Sequence, residues 1–200
     1  MLEELDTSVI KKQIKARLSK KRYKHSLGVA EVAKRLSEKE EGDPHKAYLT
    51  GLLHDYAKPL SNDELIEIID QSEWEIDNVE RKIPEIIHAP AGAELVKREY
   101  GIHDREVLEA IRYHTIGCPK MGLLARIIFA ADFIEPNRKY PGVDKLRQLV
   151  KDNLDLSITA LCDSSIKYNL EHNKLIHPNT LLLRNAYLGG NLENEKYIKK

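Results

Sequence analysis

Gly51-Leu52-Leu53-His54-Asp55-Tyr56-Ala57-Lys58 joins a strongly apolar run to a His-Asp pair. Taken as helix, it puts Leu49, Leu52, Leu53 and Tyr56 on one apolar face at the i, i+3, i+4, i+7 spacing. Asp55 then stands at the edge of that face, with His54 beside it. A carboxylate carried toward a core is costly unless something positive meets it. A metal is one such partner, because His and Asp together ligate divalent first-row ions well. A hydrogen-bonded His-Asp pair near a helix end is the other reading. Lys58, four residues after His54, either faces the same place or complements the helix C-terminus. Pro59 ends this helix, and Asp43-Pro44 begins it as cap and first residue.

Composition sets the frame around this stretch. Two hundred residues suffice for one domain with a real core. Lys+Arg and Asp+Glu both number 32, which speaks against binding nucleic acid or a membrane surface through bulk charge. Cys118 and Cys162 form no C-x-x-C, so neither a disulfide framework nor a zinc knuckle is expected. The N-terminus lacks the apolar core of a signal peptide. The longest apolar run, Leu123 to Ile134, is broken by Arg126 and Asp132 and is no membrane span. The chain reads as cytoplasmic.

Working outward, a first helix capped by Thr7 or Ser8 carries the stripe Val9, Ile10, Ile14, Leu18. A second runs to about Glu41 with the stripe Val29, Val32, Leu36. His25 lies four residues before Val29 and extends that face, as a hydrogen-bonded core residue or a ligand. Arg22, Lys24 and Gly28 around it suit an incoming phosphate, or simply a basic helix start and a packing glycine. Ser61 to Glu64 reads as a capping box for a short helix. Pro90 near a first turn and Gly101 past the end bracket another helix, which places His88 at a helix N-terminus, where anions gather. Asp104 caps a helix whose face runs Val107, Ile111, His114. On the apolar helix from Met121 to Ile134, Asp132 follows Ile128 by four residues. A loop with Arg138 and Lys139 comes next, then a long helix from about Asp155 to Asn173. The turn His177-Pro178-Asn179-Thr180 opens a short last helix, and the tail from Gly189 is polar and frayed. No segment reads as a strand, so the expected fold is all-α.

Four helices thus bring ionisable residues to inward faces: His25, His54 with Asp55, His114, and Asp132. His88 adds a fifth segment. A shared polar centre explains all of them, and imidazoles with carboxylates suit iron, manganese, cobalt or zinc. A di-iron carboxylate bundle requires two Glu-x-x-His motifs. This chain has only Glu85-Ile86-Ile87-His88.

The ordered set His25, His54-Asp55, His88, His114, Asp132 resembles the H…HD…H…H…D pattern of the HD superfamily of metal-dependent phosphohydrolases. Finer stretches are similar to its bacterial symmetrical dinucleoside tetraphosphatases: His25-Ser26-Leu27-Gly28-Val29, His88-Ala89-Pro90-Ala91-Gly92-Ala93, Arg112-Tyr113-His114-Thr115, Ala131 through Arg138, and the terminal His177 to Thr180 with Arg184-Asn185. The resemblance implies one HD-type helical bundle over residues 1–200. Its metal-site core covers about 22–138, and C-terminal helices over 143–188 complete a nucleotide pocket.

Further implications concern chemistry. Diadenosine tetraphosphate would be cut into two ADP by metal-activated water attacking a β-phosphorus. His25, His54, Asp55 and Asp132 would hold the metal, iron foremost, as a divalent or trivalent ion. His88 and His114 would hold a second metal or the phosphates. Asp55, His54, Lys58, His88 and His114 would form the catalytic set. Arg22, Gly28, Asp55, His88, His114, Thr115, Asp132, Arg138, Ile176, His177 and Thr180 would contact the nucleotide. The partners implied are a dinucleoside polyphosphate substrate and an ADP or GDP product, with no nucleic acid or membrane, and with a homodimer as one open assembly. The competing readings are another HD nucleotide hydrolase, a nucleotidase or cyclic-nucleotide phosphodiesterase, and a nucleotide sensor without turnover.

Overall fold

The computed structural model describes residues 5–192, with side chains described through Gly189. The described residues form ten α-helices and no strand: α1 (Thr7–Arg17), α2 (Lys20–Lys39), α3 (Pro44–Leu53), α4 (Asn62–Asp70), α5 (Pro84–Tyr100), α6 (Arg105–Tyr113), α7 (Leu123–Ile134), α8 (Val143–Asp152), α9 (Leu154–Glu171) and α10 (Pro178–Leu192). None is long and apolar enough to cross a membrane. The tail expected to fray from Gly189 is helical through Leu192, and its remainder lies outside the described residues.

The all-α expectation holds, and its physical basis is α7. Ile127, Ile128, Phe129, Ala130 and Ala131 are all buried, so this helix is apolar around most of its circumference and must be covered on several sides. Helices α2, α3, α6, α8 and α9 all pack on it. Helix α2 also lies along α3 at very close approach. A Cβ on Gly51 would stand 2.7 Å from Ala30 Cα, so only glycine lets the two backbones come this near.

Several boundaries differ from the sequence expectation, each for a local reason. Asp6, rather than Thr7 or Ser8, caps α1 by accepting from Ser8 N at 2.7 Å, and Val9 faces outward. Helix α3 stops at Leu53 instead of running to Pro59. Residues 54–60 continue as tight turns with i→i+3 bonds, Tyr56 N to Leu53 O at 3.0 Å and Lys58 N to Asp55 O at 2.9 Å. Helix α5 begins at Pro84, not near Pro90, which lies buried inside it. Pro84 is already a good first residue, and proline at 90 removes one backbone donor without stopping the helix. His88 therefore sits in the second turn, and the expectation that it marks a helix N-terminus is wrong. The last helix is long rather than short, with 15 residues. The capping box at Ser61–Glu64, the Asp104 cap and the left-handed Gly101 after α5 are as expected. Trp74, in a polar-looking segment, is buried with the Arg105 guanidinium over its ring.

Candidate functional site

Four imidazoles and two aspartates meet where α2, the end of α3, α5, the end of α6 and α7 converge. His54 and His114 are placed in the same way. Each caps the C-terminus of its helix, and each Nδ1–H donates to the carbonyl three residues back, His54 to Gly51 O and His114 to Ile111 O, both at 2.7 Å. Those carbonyls lack intrahelical partners at a helix end. The bonds turn both Nε2 atoms inward. His25, within α2, lies between two carboxylates, with Nδ1 at 3.1 Å from Glu135 Oε1 and Nε2 at 3.0 Å from Asp132 Oδ1.

This arrangement tests whether the residues fit a metal. His25 Nε2 and His54 Nε2 stand 3.3 Å apart, a contact that either a hydrogen on one ring or a cation shared by both satisfies. Asp132 Oδ1 is 3.0 Å from His25 Nε2, and Asp55 Oδ2 is 3.6 Å from His25 Nε2 and 3.4 Å from His54 Nε2. Ligands at right angles about 2.1 Å from one ion stand about 3.0 Å apart. Spacing and chemistry fit a first-row cation held by His25, His54 and Asp55, with Asp132 beside His25. The hydrogen-bonded outer partners are those that fix ligand tautomers at metal centres.

The second half of the cluster differs. His88 Nδ1 faces Lys58 Nζ at 3.2 Å, and Lys58 also donates to Glu85 O at 3.0 Å. With Nδ1 accepting from the ammonium, the hydrogen of His88 sits on Nε2. That atom lies 3.2 Å from His114 Nε2 and 3.1 Å from Asp55 Oδ1, so the pair satisfies itself. Asp55, His88 and His114 also form a grouping that could hold an ion.

Electrostatics follow from burial and neighbours. Burial would raise the Asp55 carboxyl, but His54 and His88 beside it hold it well below the usual carboxylate range. Asp132 is likewise held low, Arg138 and His25 outweighing its desolvation. Burial lowers His88 despite Asp55 and pushes His114 down to about 3, helped by the neighbouring imidazoles. For His54 burial is overcome by Asp55, and its pKa rises. Desolvation lowers Lys58.

A cleft of about 500 Å³ opens beside Asp132, within the usual range for small-molecule sites. Thr115, Asp132, Arg138, His177 and Thr180 line it, together with Lys82, Tyr168 and Lys174. The last three were not anticipated: their flanking sequence is polar and carries no periodic signal. Arg22, Gly28 and Ile176 do not line it. Arg22 Nη1 instead contacts Asp55 Oδ2 at 2.7 Å. Arg138 pairs with the Asp132 carboxylate and donates from Nε to Asp132 O at 2.7 Å. Thr180 Oγ1 donates to Ile116 O at 3.0 Å. His177 Nε2 pairs with Asp77 Oδ2 at 3.0 Å, tying the last loop to the segment before α5. Asp77, Glu80 and His177 form a third grouping of ligand types, but Glu80 is already engaged by both Arg112 nitrogens at 2.7 and 2.9 Å.

Comparison with known proteins bears on this geometry. The HD domain family model matches residues 22–137. The chain is 38% identical over 177 residues to a symmetrical bis(5'-nucleosyl)-tetraphosphatase of Bacillus subtilis, covering 88% of this chain and 95% of the relative. It is 41% identical over 175 residues to the protein of the same name in Halalkalibacterium halodurans, covering 88% and 93%. It superimposes with a TM-score of 0.89 and 37% identity on the crystal structure of a predicted HD superfamily hydrolase involved in NAD metabolism from Clostridium acetobutylicum, covering 93% of this chain and 98% of that one. The ordered imidazoles and aspartates, the all-α frame that gathers them and these likenesses converge: the chain belongs to the HD-domain family, in the branch of its symmetrical bis(5'-nucleosyl)-tetraphosphatase relatives.

Proposed function

We propose that this chain hydrolyses diadenosine tetraphosphate symmetrically, releasing two ADP, in a metal-dependent reaction. The observation that carries this reading is the gathering of His25, His54 and Asp55 at ligand spacing, with Asp132 3.0 Å from His25 Nε2. His25, His54, Asp55 and Asp132 hold the ion, with iron the first candidate and manganese, cobalt or zinc the alternatives. When bound, the ion supplies Lewis-acid polarisation of a phosphoryl oxygen and a water of lowered pKa.

The remaining roles belong to the chain's own side chains. His88, with its hydrogen on Nε2 and Lys58 behind Nδ1, hydrogen-bonds a phosphoryl oxygen of the substrate. His114, kept neutral by burial, accepts from His88 until substrate displaces it. Asp55, between the two imidazole pairs, orients the attacking water. Arg138 and Lys82 on the cleft side, and Arg22 beside Asp55, offset charge that builds on the phosphates.

The core about 22–138 does the chemistry, and the C-terminal helices over 143–188 complete the nucleotide pocket, with Tyr168 of α9 and the His177–Thr180 turn as its far wall. GDP would be the product from a guanosine substrate. Two measurements test the reading. Elemental analysis of freshly purified protein should find about one first-row metal per chain or more. Product analysis on diadenosine tetraphosphate should find only ADP; ATP plus AMP, or no turnover by metal-loaded protein, would overturn it.

A further inference from the structure

Glu135 has a task that the ligand set alone does not reveal. It ends α7, three residues after Asp132, and is 1% exposed. Its side chain turns back into the protein. Oε1 accepts from His25 Nδ1 at 3.1 Å, and Oε2 accepts from Asn137 N at 2.7 Å and Asn137 Nδ2 at 2.8 Å. Burying a carboxylate is costly, so this one needs a reason.

The reason lies in the placement of His25. His54 and His114 find a free carbonyl at their own helix ends. His25 sits inside α2, where backbone carbonyls are taken by the N–H groups four residues on. With no carbonyl at Nδ1 and with Asp132 Oδ1 3.0 Å from Nε2, the ring alone would favour its hydrogen on Nε2. The acceptor comes instead from 110 residues away. Gly28 makes room for it. A Cβ there would stand 2.4 Å from Glu135 Oε2 and 3.3 Å from Asn137 Nδ2. Glycine inside a helix is unfavourable relative to alanine, and at this position clearance for the carboxylate accounts for it. The loop carrying Asn137 is itself pinned from α8, where Arg147 donates to Ile134 O, Glu135 O and Arg138 O, each at 2.9 Å.

We infer that Glu135 is a positioning residue that fixes the Nδ1–H tautomer of His25, so that His25 Nε2 stays a bare donor atom, and that Gly28 serves Glu135 rather than the nucleotide. The role in metal capture rests on the reading of the site given above; the tautomer itself does not.

Glu135→Gln tests it at nearly constant volume. A glutamine has one acceptor oxygen, so it serves Asn137 N–H or His25 Nδ1–H but not both. In wild-type protein without metal at pH 8, 15N NMR of the His25 ring should show the hydrogen on Nδ1. In Glu135→Gln it should shift wholly or partly to Nε2, and Mn2+ affinity by calorimetry should fall about 10- to 100-fold. Gly28→Ala displaces the same carboxylate and should weaken Mn2+ in the same direction, with the double variant no worse than the weaker-binding single one. Wild-type His25 carrying its hydrogen on Nε2 would overturn the inference. So would Glu135→Gln that keeps the Nδ1–H signal and binds Mn2+ within about twofold of wild type. Wild-type protein that binds no Mn2+ but shows the expected tautomers would sink the metal reading and leave the positioning role standing.

Discussion

The His25–His54 pair and the His88–His114 pair look alike by ring distance, with centroids 5.2 and 5.1 Å apart. Their surroundings differ. In the first, each Nδ1 faces a fixed oxygen, Glu135 for His25 and Gly51 for His54, and each Nε2 faces a carboxylate, Asp132 and Asp55. In the second, Lys58 donates to His88 Nδ1, the hydrogen sits on Nε2, and the pair bonds to itself. The amine behind His88 separates the pair proposed to hold a cation from the pair proposed to face phosphate. The identity of four histidines says little until the partner of each far nitrogen is known.

The largest expected effect comes from the residue that both pairs share. Asp55→Asn should lower kcat by about 10³-fold or more, while thermal unfolding still shows one cooperative transition. An active variant, or an unfolded one, would break the assignment. The two pairs should then separate by readout. His54→Ala should lose bound metal, whereas His88→Ala should keep it and lose about 10²-fold in turnover. Equal metal loss in both would erase the distinction and make His88 a ligand. Gly51→Ala attacks only the first pair, through packing: its Cβ would meet Ala30 Cα at 2.7 Å, and denaturant unfolding should show a loss of about 1–3 kcal/mol.

The smallest effect concerns the second pair and pH. His88 and His114 have lowered pKa values in the fold, His114 to about 3, so they stay neutral while the unfolded chain protonates below about pH 6.5. Each such group costs stability at about 1.4 kcal/mol per pH unit as pH falls through that window. Asp55 and Asp132, held low in the fold, add stability that is full above about pH 4 and declines only below it. His54, raised in the fold, acts in the opposite sense and gives its stability on the acid side. Metal-free protein should therefore lose Tm between pH 6.5 and 4.5, and His114→Gln should flatten that slope. An unchanged slope would mean that His114 is already charged in the fold.

Much of this molecule was readable along the chain where the signal is local. The Ser61–Glu64 box, the Asp104 cap and the apolar α7 are written in neighbouring residues. The residues of the candidate site were readable too, because inward helix faces seldom carry ionisable groups at five places without a common purpose. Helix ends were less legible. The end of α3 at Leu53 trades helical bonds for tight turns that free Gly51 O for His54, a bargain visible only when the ring's inward partners are known. Gly28 offers a phosphate contact or a packing glycine on its sequence alone, because the side chain beside it, Glu135, is distant in sequence. Lys82, Tyr168 and Lys174 gave no sign at all, since a cleft wall assembled from separate loops has no period.

The helical class and the ionisable residues that turn inward follow from periodicity within a turn or two of chain. What each imidazole nitrogen faces, which carboxylate each arginine pairs with and where the cleft opens emerge only in the packed molecule. Those properties depend on hydrogen-bond partners brought from far along the chain, and only packing around α7 determines which partners arrive.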